Sequence, residues 1–374
     1  MIGPDRTSPK NRLRLLRGTW QSIAHKIDPS RSRLTSRDRA VYWLNGAIQS
    51  ALHELQKKSY ADALAKTVPL PPIFVLGFWR SGTTLLHELL CCDQRFGFPS
   101  TYACLNPAHF LLSESRMRAR LDQEVARPMD NLRYSWASPQ EDEFALLALG
   151  APSAYEALLV PSLMRNVDAL LDLQTFPAEH QNRWCDTFDY FLKLLTIQQA
   201  KPMVLKSPTH GYRMPTLQTK FPTARYVVIE RNPYEVFASN LKLWRMLIDM
   251  YGWEHCTDQE IEDFVLAAYL LHERLVSEGI RQAGPNSVAR VRYEDLEKSP
   301  MEEAQRVYAA LQLGGFETVR PRLGGYIAKV SGHVRNRFRL TGAQKARVAK
   351  VWGDPIAEKG YAWPEAYIEL TETT

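Results

Sequence analysis

The residues Phe74-Val75-Leu76-Gly77-Phe78-Trp79-Arg80-Ser81-Gly82-Thr83-Thr84 join a short apolar run to a helical stripe of Leu85, Leu86, Leu89 and Leu90. A strand that turns through a glycine-containing loop into a helix aims backbone N–H groups and a helix N-terminus at one spot, which suits a phosphate. Gly77 and Gly82 let the chain turn and approach the anion, and Thr83 and Thr84 add hydroxyl donors. The spacing of the two glycines is that of a nucleotide-binding GxxxxG loop, yet Thr83 stands where a kinase or ATPase needs lysine. The cation comes earlier instead, as Arg80. The second apolar run ends in Lys206 and the third in Glu230-Arg231, so no acidic strand end offers a magnesium ligand. Magnesium-dependent phosphoryl transfer is disfavoured. The alternative without a ligand is a tight strand-to-helix turn.

Further residues could hold or move a proton. Lys206 and His210 lie in Leu205-Lys206-Ser207-Pro208-Thr209-His210, at the end of an apolar run. In an open parallel sheet ligands gather at the C-terminal ends of strands, close to the phosphate loop. A buried strand end is also a costly place for a spare ammonium, which favours a functional Lys206. His210 is either catalytic or a turn histidine bonded to backbone. In Pro139-Gln140-Glu141-Asp142-Glu143-Phe144 three acids open a helix. They complement its dipole, or Glu141 or Glu143, and less so Asp142, faces a cationic site as a base. His87 either reaches the site from the loop helix or lies on that helix's surface.

At Arg80-Ser81-Gly82-Thr83-Thr84 the chain resembles the sulfotransferase family, whose 5′-phosphosulfate loop carries a basic residue directly before Ser-Gly-Thr-Thr. The resemblance implies transfer of a sulfuryl group from 3′-phosphoadenosine 5′-phosphosulfate (PAPS) to a hydroxyl or amine without a metal. It also implies that Arg231, after the strand Tyr226 to Ile229, and Ser239, eight residues later, hold the 3′-phosphate. Arg231 can grip a phosphate bidentately, and Pro233 fits a first helical turn. Tyr293, in Tyr293-Glu294-Asp295-Leu296, matches a tyrosine beside the adenine. Family members place a lysine and sometimes a catalytic histidine where Lys206 and His210 stand, although here three residues intervene. Others use a glutamate base from outside the loop. Leu85 stands where cytosolic animal members stack adenine on tryptophan. The resemblance spans roughly residues 72–300, and Gly332-His333-Val334-Arg335 extends it as a closing segment only by loose analogy.

The elements that must position these residues alternate. Ile73–Leu76, Met203–Leu205, Tyr226–Ile229 and Val288–Val291 are too short for helices and read as buried strands. Helical stretches separate them: Thr84–Cys92, Glu179–Gln198, Pro233–Met246 and Asp258–Ser277. The predicted fold class is therefore α/β, a P-loop-type parallel sheet with helices on both faces. Residues 93–200 hold no clear strand and read as a mostly helical insertion that supplies the acceptor pocket; its aromatics, such as Trp136, Phe144 and Tyr155, read as core as readily as pocket, and none is named as a ligand. Residues 1–70 form a helical extension to the main domain, 71–374. In it Val41, Leu44, Ile48, Leu52 and Leu55 recur at helical spacing as the face that packs inward, and Ser36 is the candidate cap. Residues 1–10 read as disordered.

Composition bounds the remaining classes. The 374 residues are 45% hydrophobic and 24% charged, an ordinary globular balance that excludes collagen-like and wholly disordered chains. No apolar stretch approaches the roughly 18 residues of a membrane span, and the N-terminus has no secretory core. Five cysteines without paired spacing predict free thiols in a reducing cytoplasm, and no metal site. A net charge of +6 fits a small anionic ligand. The basic runs Asn11–Arg17, Arg31–Arg39 and Arg335–Arg339 lack interleaved aromatics, so nucleic acid is not a predicted partner and each run reads as a solvated face. The acceptor is a small molecule, carbohydrate or lipid. The competing readings are a P-loop small-molecule kinase and a nucleotide-binding regulatory module without turnover.

Overall fold

Six strands are present in the computed structural model of the chain, which describes residues 13–121, 125–126, 133–330 and 340–364. They are β1 (Ile73–Leu76), β2 (Val125–Ala126), β3 (Arg133–Tyr134), β4 (Val204–Lys206), β5 (Arg225–Glu230) and β6 (Val288–Arg292). The four longer ones form a parallel sheet in the order β4-β1-β5-β6, with Val75 beside Lys206 and Leu76 beside Val228. Side chains alternate between two cores, as the period-two geometry of a strand requires. Phe74, Leu76, Leu205 and Tyr226 join Trp184, Phe188 and Phe191 of the helix Ala178–Gln199 on one face. Ile73, Val75, Val204 and Val227 join Leu86, Leu89 and Leu90 of the helix Thr83–Cys91 on the other. Both faces of β1, β4 and β5 are thus covered, which is why these strands read as near-continuous apolar runs, whereas the edge strand β6 alternates, with Arg290 and Arg292 exposed.

A third core lies beyond the C-terminal strand ends. Phe78 and Trp79 of the phosphate loop pack there with Trp244, Phe264 and Trp352, from the helices Pro233–Tyr251, Asp258–Gln282 and Gly342–Glu358. The extension joins the same core through Leu13, Leu15, Ile23, Ile27 and Tyr42.

Four expectations need correction. The helix Ser36–Ser59 is capped by Thr35, whose side chain accepts from Asp38 N while Asp38 reaches back to Thr35 N, so Ser36 is already its first residue. That helix also leaves Leu44, Ile48 and Leu55 exposed, where apolar spacing predicts burial. The insertion does contain strand, since β2 and β3 pair antiparallel over two residues each. Arg31 is not solvated: its guanidinium meets both Glu260 oxygens at 2.7 Å. Residues 1–10, Gly332–Arg335 and the run Arg335–Arg339 lie outside the described residues. Among the described residues no helix is long and apolar enough to cross a membrane.

Candidate active site

The phosphate loop occupies residues 77–82 between β1 and the helix Thr83–Cys91. Its shape depends on both glycines. A Cβ on Gly77 would stand 2.6 Å from Ser81 Oγ and 2.7 Å from Ile229 O. Gly82 has φ +98°, and the ring of Tyr293 fills the space a Cβ would need. Arg80 also has positive φ, at 70°, a conformation that a non-glycine residue adopts only when its surroundings impose it. The surroundings are specific. Ser81 Oγ donates to Phe78 O at 2.8 Å, and Asn240 Nδ2 donates to Trp79 O at 2.8 Å. The loop is held from outside as well as within.

The turn after β5 closes on this loop. Arg80 Nε donates to Ser239 Oγ at 2.9 Å, and Arg231 Nη1 donates to Arg80 O at 3.3 Å. Asn232 caps the helix Pro233–Tyr251 by accepting from Tyr234 N, which places Ser239 on the turn of helix that faces the loop. Arg231 is paired with Glu235, Nε to Oε2 at 2.9 Å, and its guanidinium lies 4.2 Å from the centre of the Tyr293 ring. Arg80, Gly82, Arg231, Ser239 and Tyr293, spread over more than half the chain, therefore meet at one place. Two guanidiniums, a hydroxyl and a helix N-terminus give that place an excess of donors over acceptors, the condition for binding an anion. Thr83 is buried and Thr84 half-buried at the helix start.

The three consecutive acids meet three basic side chains at and just beyond the end of β4. Glu141 Oε1 accepts from Lys206 Nζ at 2.7 Å. Asp142 Oδ2 lies 2.8 Å from His210 Nε2. Glu143 receives Arg213 at both oxygens, at 2.5 and 2.9 Å, with Ser153 Oγ and Thr209 Oγ1 completing its shell at 2.6 and 2.8 Å. Exposure separates the rungs. The Asp142–His210 side chains are both 0% exposed and the Glu143–Arg213 pair 0% and 2%, whereas Glu141 retains 18%. Burial alone would raise the Glu143 carboxyl, but Arg213 and Ser153 together hold it below its ordinary value. His210 packs edge-on against Phe74 and Phe188; its turn is closed by His210 N donating to Ser207 O at 3.0 Å, but its ring is held by the Asp142 carboxylate, not by backbone.

His87 takes neither of its expected positions. It is buried beneath the sheet with Nε2 3.1 Å from Val204 O. Burial, aided by the Lys206 ammonium, lowers its pKa to about 3, so the ring is neutral.

Tyr155 and Trp79 are the residues that sequence reasoning did not assign. The hydroxyl of Tyr155 donates to Glu141 Oε2, and Trp79 Nε1 stands 3.4 Å from the same hydroxyl. Burial first, and then the Glu141 carboxylate, raise the Tyr155 pKa well above 10, which keeps it a donor. Trp79 directly precedes Arg80, so a continuous polar path runs from Lys206 through Glu141 and Tyr155 to the phosphate loop. Nothing in the spacing of Tyr155 marks it, because only the insertion's packing brings it there. Among the described residues no three His, Cys, Asp or Glu side chains group as metal ligands.

A P-loop sheet whose loop cation is an arginine, clasped by an Arg/Ser pair from the next strand's helix, defines a group-transfer enzyme acting on an anionic donor. The chain belongs to the sulfotransferase family, whose model matches residues 71–317, and it is a sulfotransferase. It is 36% identical over 323 residues to the omega-hydroxy-beta-dihydromenaquinone-9 sulfotransferase Stf3 of Mycobacterium bovis, and equally to that of Mycobacterium tuberculosis. The match covers 86% of this chain and 83% of the relative. The fold is similar to that of sulfotransferase STF9 from Mycobacterium avium, with TM-score 0.67, 18% identity and coverage of 95% of this chain and 99% of that one. It is also similar to STF1 from M. tuberculosis, with TM-score 0.60, 18% identity and coverage of 87% and 89%.

Proposed function

We propose that the donor is PAPS, that the acceptor is a hydroxyl-bearing lipid, and that Glu141 is the base. The donor site fits a 3′-phosphorylated nucleotide because Arg231, Ser239 and Arg80 converge on one point, an arrangement of donors that a simple strand-to-helix turn does not need. Ser81, Gly82, Thr83 and Thr84 would line the phosphosulfate end and Tyr293 the nucleotide end. Bound there, PAPS supplies an activated sulfuryl group on a phosphate leaving group. Arg80 offers that phosphate a fixed positive charge at the mouth of the loop.

The observation that carries the base assignment is the exposure gradient along Glu141, Asp142 and Glu143. A base must come within hydrogen-bond reach of the incoming hydroxyl, and of the three carboxylates Glu141 is the one left open to an approaching molecule. Lys206 and Tyr155 each hold one oxygen of Glu141, which orients it. Glu143 and His210, both sequence candidates, are enclosed and serve to fix the segment that bears Lys206. The lipid acceptor rests on the relative that acts on a hydroxylated menaquinone and on the helical insertion bordering Glu141. The five unpaired cysteines are in keeping with a cytoplasmic location.

A sulfation assay with PAPS against hydroxylated isoprenoid lipids, phenols, carbohydrates and peptides tests the reading. Turnover should be fastest with the hydroxylated lipids. Adenosine 3′,5′-bisphosphate should raise the melting temperature more than ATP does. Equal shifts with the two nucleotides would overturn the donor assignment, and preference for a phenol or sugar would overturn the acceptor.

A further inference from the structure

The helix Ser36–Ser59 is turned against its own composition. It buries Gly46, Gln49 and Gln56 beside Tyr42, while Leu44, Ile48 and Leu55 stand 57%, 51% and 52% exposed and Trp43 45%. The inward glutamine is fixed by specific bonds. Gln56 Nε2 donates to Pro107 O at 2.9 Å, and its Oε1 accepts from Leu111 N at 3.0 Å. Rolling the helix to hide its leucines would leave these buried groups unpaired, so the apolar side stays outward. Of eight large exposed hydrophobic residues among those described, four lie on this helix, and Val68 and Leu70 follow shortly after it. Such clustering marks an interaction surface, whereas single exposed leucines do not.

Position along the helix gives the face its character. At about 100° per residue, Leu44, Ile48, Ala51 and Leu55 fall in one stripe. Arg37 and Lys58 extend the same line at its two ends, and Arg39, Lys57 and Lys66 are exposed nearby, against Glu54 and Asp62. Arg17 lies 5.1 Å from the Trp43 ring centre at the edge. We propose that this stripe docks on the surface of an anionic lipid bilayer, with the apolar side chains in the headgroup boundary and the flanking cations on lipid phosphates. A second copy of the chain fits the face less well. In a two-fold pairing of this helix, antiparallel contact sets Arg37 against Lys58 and parallel contact sets each against itself, cation on cation both ways.

The inference deepens the lipid-acceptor reading and rests on it for its biological sense. The extension is tied to the site: Leu16 N and Thr19 Oγ1 donate to Ala148 O at 3.0 and 3.3 Å. Ala148 belongs to the helix Glu143–Leu149, which opens just after Glu141. Docking would bring the side of the molecule that bears this helix to the membrane in which a lipid acceptor resides.

Co-sedimentation of the full chain with vesicles of equal parts phosphatidylglycerol and phosphatidylcholine, and with phosphatidylcholine alone, tests the proposal. Binding should favour the anionic vesicles and weaken with salt. The triple variant Leu44→Ser, Ile48→Ser, Leu55→Ser should bind at least about a hundredfold more weakly, because each apolar side chain fully withdrawn from water is worth roughly a factor of ten and the three are withdrawn in part. Arg37→Glu with Lys58→Glu should abolish the preference for phosphatidylglycerol. Both variants should keep the wild-type melting temperature and wild-type affinity for adenosine 3′,5′-bisphosphate. Absence of wild-type binding, or unchanged binding by the triple variant, would overturn the proposal. So would a wild-type dimer that the triple variant dissociates. The vesicles contain no acceptor, so this result and the acceptor screen fail independently.

Discussion

At the loop end of the site, each anion-binding group is shaped by local geometry, a loop between β1 and its helix and one turn after β5, and the parallel pairing of β1 with β5 brings the two together. At the acceptor end, three consecutive carboxylates from the insertion meet Lys206, His210 and Arg213, more than sixty residues away. The first region works through backbone shape and a cation at a fixed loop position. The second works through buried ion pairs whose roles are separated by depth. The contrast shows how a conventional loop can be joined to a particular chemistry. The loop gathers donors at one point, and the ladder leaves only one of three similar carboxylates in contact with solvent.

The sharpest way to break this comparison is Glu141→Gln. Turnover should fall by about 10²- to 10⁴-fold, the usual loss for a missing base, while adenosine 3′,5′-bisphosphate binds as before. Retention of more than about a tenth of the activity would place the base elsewhere. Glu143→Ala should act on the fold instead. It strands Arg213 in the interior, and breaking a buried pair from one side destabilises by about 3–5 kcal/mol; chemical denaturation should read this as a lowered midpoint. A variant as stable as wild type would show that the lower rungs are not structural.

At the nucleotide end the two arginines should part. Arg80→Ala should lower turnover by about 10²- to 10³-fold, because charge grows on the leaving oxygen only in the transition state. Arg231→Ala should mainly weaken nucleotide binding, since its contact is the same in ground and transition states. The reverse pattern in kcat and KM would mean the loop is misassigned.

Acid titration compares the two ends more gently. Glu143 is held below its unfolded value of 4.5, and Glu273, beside Lys359 near the β5 turn, down to about 2. For Glu273 burial acts upward, but the neighbouring His272 ring, 3.6 Å away, and Lys359 outweigh it. A carboxyl depressed on folding contributes stability that is complete above its unfolded pKa and lost as pH falls through the folded one. Melting temperature should therefore fall from pH 4.5 towards 2, and Lys359→Met should flatten that fall by removing one partner. The smallest effect is expected of His87→Gln. A histidine already neutral, with a pKa of about 3, should leave the rate profile between pH 6 and 8 unaltered apart from scale.

Much of the nucleotide end was legible beforehand. Gly77, Arg80 and Gly82 carry their geometry in their spacing, because a strand, a tight turn and a helix start leave few arrangements open, whereas Arg231 and Ser239 were reached through the family resemblance and the fold sets both against Arg80. The parallel strands β1, β4 and β5 were legible for a related reason, since burial on both faces forces near-continuous apolar runs, and β6 through its alternation of buried and exposed residues. The acceptor end was not. Glu141, Asp142 and Glu143 are chemically near-identical in a linear chain, and no local pattern says which will keep contact with water. Tyr155 carried no signal, and His87 reads as a surface residue until β4 is seen to cover it. The helix Ser36–Ser59 misled for the opposite reason: its apolar period is genuine, but Gln56 found partners at Pro107 and Leu111 that turned the other face inward.

What the sequence by itself determined is therefore the class of chemistry: a phosphate loop with arginine for its cation, on a parallel α/β sheet. Those features depend on backbone conformations that a few neighbouring residues impose. What only the tertiary structure decided is which acid keeps contact with solvent, which histidine is withdrawn, and which side of the first long helix stays exposed. Each of these depends on depth of burial and on partners distant in the chain, and desolvation acts on a group only after the fold has placed it.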